Sequence, residues 1–249
     1  MDARWAAWAA LVLASTGCVG TAGGSTTHAK PHYASAPLAP AERSDLAAAA
    51  PEPAKLRIPP RPRTRAAYLV AQIRRPLRTP FGTVRPRTIY GQPVWAPVVR
   101  RRGVHGRLLV PLGPRGRVVH ADLRRFPLEW RRARVMVDLG RARLTVRSGV
   151  RRVATFPIGQ GAPGMRTPVG RFVVTDRLTF PTGSPYAPIA FGLSAHASRL
   201  PSSWMGGDQI AIHYGLMGAV SHGCIHVGFG AIRLLRKTAP LGTLVVVRR

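Results

Sequence analysis

The stretch Ala219-Val-Ser-His-Gly-Cys-Ile-His226 organises this chain of 249 residues. It holds Cys224, one of two cysteines in the sequence. The other, Cys18, closes an N-terminal apolar segment, which leaves Cys224 without an evident disulfide partner. His222 and His226 flank Cys224, and His213 precedes it by eleven residues. A lone cysteine beside glycine and several histidines has the ingredients of a nucleophilic thiol with its base. An imidazole beside a thiol is expected to populate the thiolate at neutral pH. His213 stands at the end of the apolar run Gln209-Ile-Ala-Ile212, so a strand would deliver it to the cysteine segment. No Asp or Glu follows Asp208, and the Tyr214 carbonyl is the simplest group to orient His213. Gly223 permits a tight turn, and the N–H groups of Gly223 and Cys224 are the expected oxyanion donors.

Working outward, the flanking segments have the pattern of a β domain beginning near Arg131. Val135-Met-Val-Asp-Leu139 and Ala142-Arg-Leu-Thr-Val146 alternate around Gly140-Arg141 as a hairpin would. Val153-Ala-Thr-Phe-Pro-Ile158 is a third strand, followed by the glycine-rich Gly159-Gln-Gly-Ala-Pro-Gly164. Thr167-Pro-Val-Gly-Arg-Phe-Val-Val174 turns at Pro168 and Gly170 into another strand. Residues 175–209 read as loop because Pro181, Gly183, Pro185 and Pro188 interrupt them, and they carry the cleft-type residues Tyr186, Phe191 and His196. Ala231-Ile-Arg-Leu-Leu-Arg-Lys237 has helical spacing, and Gly242-Thr-Leu-Val-Val-Val247 is a closing strand.

Upstream, residues 63–126 hold short apolar pieces broken by Gly and Pro, including Thr88-Ile-Tyr90, Val94–Val99, Arg107–Val110 and Arg117–Ala121. The run Leu109–Leu123 resembles the last strands of bacterial SH3-like modules, so a small SH3-like β domain is expected here. Residues 20–62, rich in Ala, Pro, Ser, Thr and Gly without apolar period, read as a flexible, disordered linker. Residues 1–19 combine Arg4 with the apolar run Trp5–Leu13, which has the length of a signal-peptide core and is too short to span a bilayer. Ala14-Ser-Thr-Gly-Cys18 resembles a lipoprotein processing site, with Cys18 as the acylated residue and Ser15 as its imperfect position. Ordinary cleavage near Gly20-Thr-Ala22 is the alternative.

The formal charge is +29, from 38 basic residues against nine acids. Three of the 38 are lysines, leaving 35 arginines, and 25 of those fall within residues 57–152 against Asp122, Glu129 and Asp138. Such a field attracts polyanions. No recognition-helix or ribonucleoprotein motif is present and the N-terminus directs export, which turns the expectation from nucleic acid to anionic polymers of the envelope. Zinc is disfavoured. His222, Cys224 and His226 alternate, so along one extended strand they would share a face and could not surround an ion together with His213.

Ser221-His-Gly-Cys224, with Ile212-His213 and Thr167-Pro-x-Gly-x-Phe172 before it, resembles the L,D-transpeptidase family with the YkuD-type catalytic domain. Val137-Asp-Leu139, Pro185-Tyr-Ala-Pro-Ile189 and Gly242-Thr-x-Val extend the likeness over residues 131–249. The resemblance implies a mainly β fold, a YkuD-type β-sandwich with one or two short helices. It implies an enzyme that cleaves before the terminal D-Ala of a peptidoglycan tetrapeptide stem. The stem is held as a thioester and passed to a side-chain amine of another stem, or to water in an L,D-carboxypeptidase. A catalytically silent wall-binding protein is the reading outside enzymes. By resemblance Cys224 is the nucleophile, His213 the base, and Ser221, His222 and Gly223 the signature loop. Tyr186, His196, Tyr214 and His226 are expected to line the cleft. Peptidoglycan stem peptides are the expected partners, with the membrane engaged only through a lipid on Cys18, and neither cofactor nor metal is required. Two positions depart from the family. The loop from Tyr214 to Val220 is short, and His226 stands where relatives commonly carry Arg or Asn.

Overall fold

The computed structural model describes residues 58–62, 66–201 and 207–249. The signal segment 1–19, Cys18 and most of the 20–62 linker lie outside the described residues. The described chain is mainly β, with one α-helix.

Its first sheet has the order β6-β5-β4-β1-β7, built from β1 (Tyr68–Ile73), β4 (Val94–Arg102), β5 (His105–Val110), β6 (Arg117–Asp122) and β7 (Leu128–Arg131). β2 (Leu77–Thr79) and β3 (Gly82–Val84) form a separate ribbon. A core of Leu69, Ala71, Ile73, Leu108, Val110 and Leu123 fills this part. Thr88-Ile-Tyr90, expected as a strand piece, is a turn in which the Thr88 hydroxyl accepts from the Tyr90 and Gln92 N–H groups. Local capping by a threonine competes with ladder formation and wins here. The edge strand β7 lies beyond residue 126. Residues 58–62, counted with the linker in the sequence, lie against this sheet. Ile58 packs on its core, and Trp130 donates to the Pro59 carbonyl at 2.8 Å.

The second sheet has nine strands in the order β14-β10-β15-β13-β12-β11-β16-β8-β9. They are β8 (Ala133–Asp138), β9 (Arg143–Ser148), β10 (Arg151–Gly161), β11 (Gly170–Thr179), β12 (Ile189–His196), β13 (Gln209–Tyr214), β14 (Gly218–Ser221), β15 (Ile225–Val227) and β16 (Leu244–Arg248). β10 also pairs with β9, which curls the sheet back on itself. Val135, Val137, Leu144 and Val146 face inward with Phe172, Phe191, Leu193 and Ile212, as period-two alternation requires. Helix α1 (Phe229–Thr238) covers this core with Ala231, Ile232 and Leu235. Its last turn carries Arg236 and Lys237, favourable at the negative end of the helix dipole.

β12 corrects the expectation of a loop through 175–209. Ile189-Ala-Phe-Gly-Leu-Ser-Ala-His196 is a strand buried over its first seven residues. A strand covered on both faces loses its alternation, and its sequence signal merges with a short apolar run between prolines.

A single hydroxyl ties the first sheet to the second. Tyr68 Oη donates to the Ala133 carbonyl and accepts from the Leu244 N–H, both at 2.8 Å. Burial pushes this phenol up to about 12. Nearby, Thr88 donates to the buried Asp176 carboxylate at 2.5 Å, and Thr175 and Gln209 donate to the same group.

Candidate active site

β13 and β15 run in parallel register, with Ile212 opposite Ile225, His213 opposite His226, and Tyr214 opposite Val227. The register therefore sets two histidines side by side, with ring centroids 4.7 Å apart and edge-on. It also brings Cys224, just before β15, beside Ala211, whose N–H donates to Sγ at 3.4 Å. Cys224 is partly buried and is the free cysteine among the described residues.

Between His213 and Cys224 the chain leaves β13, crosses over β10, forms β14 on its far side, and turns back into β15. The crossing is close. A Cβ on Gly159 would lie 2.0 Å from the Leu216 carbonyl oxygen, and one on Gly215 would lie 2.7 Å from the His226 ring. Both positions therefore exclude a side chain. Gly159-Gln-Gly161, expected in a glycine-rich loop, is instead the end of strand β10. Its glycines admit the crossing segment and the Met165–Thr167 backbone.

The return turn is built by Ser221. Its buried hydroxyl donates to the Cys224 carbonyl at 2.6 Å and accepts from the Gly223 N–H at 3.2 Å. Gly223 sits at φ 113°, and a Cβ there would meet Ile210 Cδ1 at 2.7 Å. Two expectations change at this turn. The Gly223 N–H, expected as an oxyanion donor together with that of Cys224, donates instead to the Ser221 hydroxyl. The positive φ also ends the extended segment, so His222, Cys224 and His226 do not alternate along one strand. His222 is half-buried within the turn.

His213 is buried, and its Nδ1–H donates to the Tyr214 carbonyl at 2.8 Å. His226 does the same one step along the loop, with Nδ1–H donating to the Leu216 carbonyl at 2.9 Å. The short loop and the unusual histidine are thus two halves of one contact. Burial pulls His213 down from 6.5 to about 4, and neighbouring His226 pulls the same way. The Tyr214 and Pro185 carbonyls oppose the shift and lose. Burial pushes the Cys224 thiol up, with the Ala211 N–H only partly opposing. Burial thus acts against the thiolate expected from the sequence, because desolvation penalises both the thiolate and the imidazolium. Among the described residues no hydrogen bond joins His213 to Cys224.

Tyr186 reaches the cluster from the 180–188 loop, with its ring edge-on to His213 at 4.9 Å and against Phe180 at 5.4 Å. Burial, then Cys224 and Tyr90, raise its phenol. Tyr214 contributes its carbonyl. Its ring points away and stacks on Phe229 at 4.1 Å. His196 is not brought to the cluster. It pairs with Gln209 at the far end of β13, its Nδ1 lies 2.9 Å from Asp208, and its N–H donates to the Pro114 carbonyl. The Leu216 carbonyl, Ala211 N–H and Gly215 were absent from the sequence expectations, and Gly159 was expected only as part of a glycine-rich loop. Only the two glycines carried a signal, as small residues in or beside strands.

Residues 132–247 match a family model described as the L,D-transpeptidase catalytic domain, YkuD. Among solved structures, Bd1075 of Bdellovibrio bacteriovorus is 22% identical at a TM-score of 0.37, over 47% of this chain and 48% of that one. An Enterococcus faecium L,D-transpeptidase is 21% identical at 0.36, over 47% and 49%. An L,D-transpeptidase from Mycobacterium smegmatis is 15% identical at 0.37, over 58% and 90%. The match spans about half the length of the first two. No curated protein matches the chain.

Proposed function

We propose, from the premise that this chain carries an L,D-transpeptidase catalytic domain over residues 132–247, that it cross-links peptidoglycan stem peptides through a thioester on Cys224. The observation that carries this reading is a partly buried thiol held against the Ala211 N–H, two residues along β13 from a histidine whose Nδ1–H is fixed by a backbone carbonyl. With Nδ1 protonated, Nε2 of His213 holds the lone pair and can take the thiol proton as Sγ attacks the carbonyl before the terminal D-Ala. The Cys224 N–H stabilises the oxyanion. The proton returns to the leaving D-Ala amine, and the amine of a second stem then attacks the thioester. Ser221 and Gly223 hold the turn, Tyr186 walls the base, and His226 anchors the crossing loop. Hydrolysis by water is the same sequence with a different acceptor.

A peptidoglycan substrate supports a location at the cell wall, outside the membrane, and the arginine excess supports retention by anionic wall polymers. Lipid attachment at Cys18 belongs to the same proposal. Among the described residues no helix is long and apolar enough to cross a membrane.

The test is intact-protein mass spectrometry after incubation with a tetrapeptide stem. The expected result is a covalent adduct of the stem less D-Ala, lost in Cys224→Ala and kept in Cys18→Ala. Folded protein without an adduct would sink the enzymatic reading. Adding an acceptor amine separates cross-linking from release to water.

A further inference from the structure

The outward face of the second sheet carries an arrangement that the proposed chemistry does not use. Register pairs Arg152 with Arg147, and Arg147 with Arg134, across three adjacent strands. Like charges directly opposite one another destabilise a sheet. Two residues along β9 and β8, and three along β10 because of a bulge, Thr155 pairs with Thr145 and Thr145 with Met136, and the two hydroxyls lie 3.0 Å apart. Two residues further, Arg143 pairs with Asp138, and Asp138 with Arg248. Arg152 and Arg147 on one rim and Arg143 and Arg248 on the other thus stand four residues apart along β9, roughly 14 Å at strand rise, while Arg134 lies outside the groove over the Tyr68 ring. They flank a neutral floor of two threonines and a methionine. The space between them is a concave groove of about 300 Å³. Asp138 is its one carboxylate, held by Arg248 at 3.2 Å and Arg141 at 4.0 Å.

We infer that this groove binds a strand of polyol-phosphate wall polymer laid across β10, β9, β8 and β16. Arginines on both rims match phosphates with a planar fork of donors, and the threonine hydroxyls meet them from below. An anionic chain would also relieve the opposed Arg152–Arg147 pair. The floor has no aromatic side chain, so it lacks the stacking platform that single-stranded nucleic acid uses. The inference rests on the wall-facing reading only for the source of the polymer.

The test measures binding of poly(glycerol phosphate) to the folded protein between about 50 and 200 mM salt. The triple change Arg143→Gln, Arg147→Gln, Arg152→Gln removes three cations from the groove. At about 0.7 counterions per contact, the slope of log K against log salt falls by about 2, and affinity near 0.1 M salt falls roughly 100-fold. The control Arg100→Gln, Arg101→Gln, Arg102→Gln removes equal charge from the exposed end of β4, and is expected to weaken binding by less than about threefold. Equal losses in both triples would overturn the groove and leave only net charge. Oligothymidylate or polyglutamate binding as tightly, with the same loss in the groove triple, would overturn polyol phosphate as the ligand. Melting of both triples near the parent temperature shows that the fold is kept. Cys224 acylation in the same preparations separates the two ideas. Neither triple touches the thiol, so acylation is expected unchanged, and absent acylation with intact polymer binding defeats the enzymatic reading alone.

Discussion

The sharpest expectation concerns the acid limb of Cys224 acylation. Burial and the neighbouring His226 hold His213 at about 4 in the folded protein, against 6.5 for an ordinary histidine. At pH 5.5 a base at 4 is about 97% neutral, whereas one at 6.5 is about 9% neutral. Single-turnover acylation by a tetrapeptide stem should therefore be nearly the same at pH 5.5 as at pH 7, where an ordinary histidine would lose roughly tenfold. Mass spectrometry of quenched samples gives the rate directly. A midpoint near 6.5 would refute the burial argument, while one near 4 that moves upward in His226→Asn fits both causes. The same shift acts on stability. A histidine whose folded value is depressed binds its proton more readily when unfolded. It therefore contributes stability above pH 6.5, and that contribution drains away between 6.5 and 4. The full effect is about 3 kcal/mol, readable as a falling urea midpoint over that window.

Two further perturbations address the framework. Tyr68→Phe deletes the hydroxyl that joins the Ala133 carbonyl to the Leu244 N–H and leaves two half-buried groups short of a partner, a cost of about 1–3 kcal/mol. A urea midpoint within error of the parent would show that water replaces the hydroxyl. Gly159→Ala places a methyl 2.0 Å from the Leu216 carbonyl, so the crossing segment must move, at about 1–3 kcal/mol. Because that carbonyl holds His226, acylation should fall with stability. A folded variant with unaltered acylation would show that the crossing does not position the site.

The sequence was most legible where one side chain or one turn decides the structure. The apolar run ending at Ile212 announced the strand that delivers His213, and the lack of downstream acids pointed to the Tyr214 carbonyl, 2.8 Å away. The helical spacing after Gly230 and the valines before Arg248 were equally local. What stayed hidden depends on residues far apart in the chain. β12 is buried on both faces, so no alternation marks it. Thr88 reads as a strand former until its hydroxyl is seen to cap its own turn. The thiol and imidazole look like an activated pair in one dimension, and only the folded chain shows the burial that acts against both charged forms. His226 looked like an anomaly because its partner is a backbone carbonyl ten residues away, invisible to any motif.

The crossing segment has a consequence for how protons are handled. Tyr214 and Leu216, two residues apart on one strap, each take the Nδ1–H of a different imidazole. One short piece of backbone therefore selects the tautomer of both rings and leaves the lone pair of each on Nε2. Nitrogen-15 spectra should show two histidines with the same uncommon tautomer, released together if the strap is lengthened. In this fold the protonation pattern of the site is written in peptide carbonyls, so an insertion that alters no functional side chain could still scramble it.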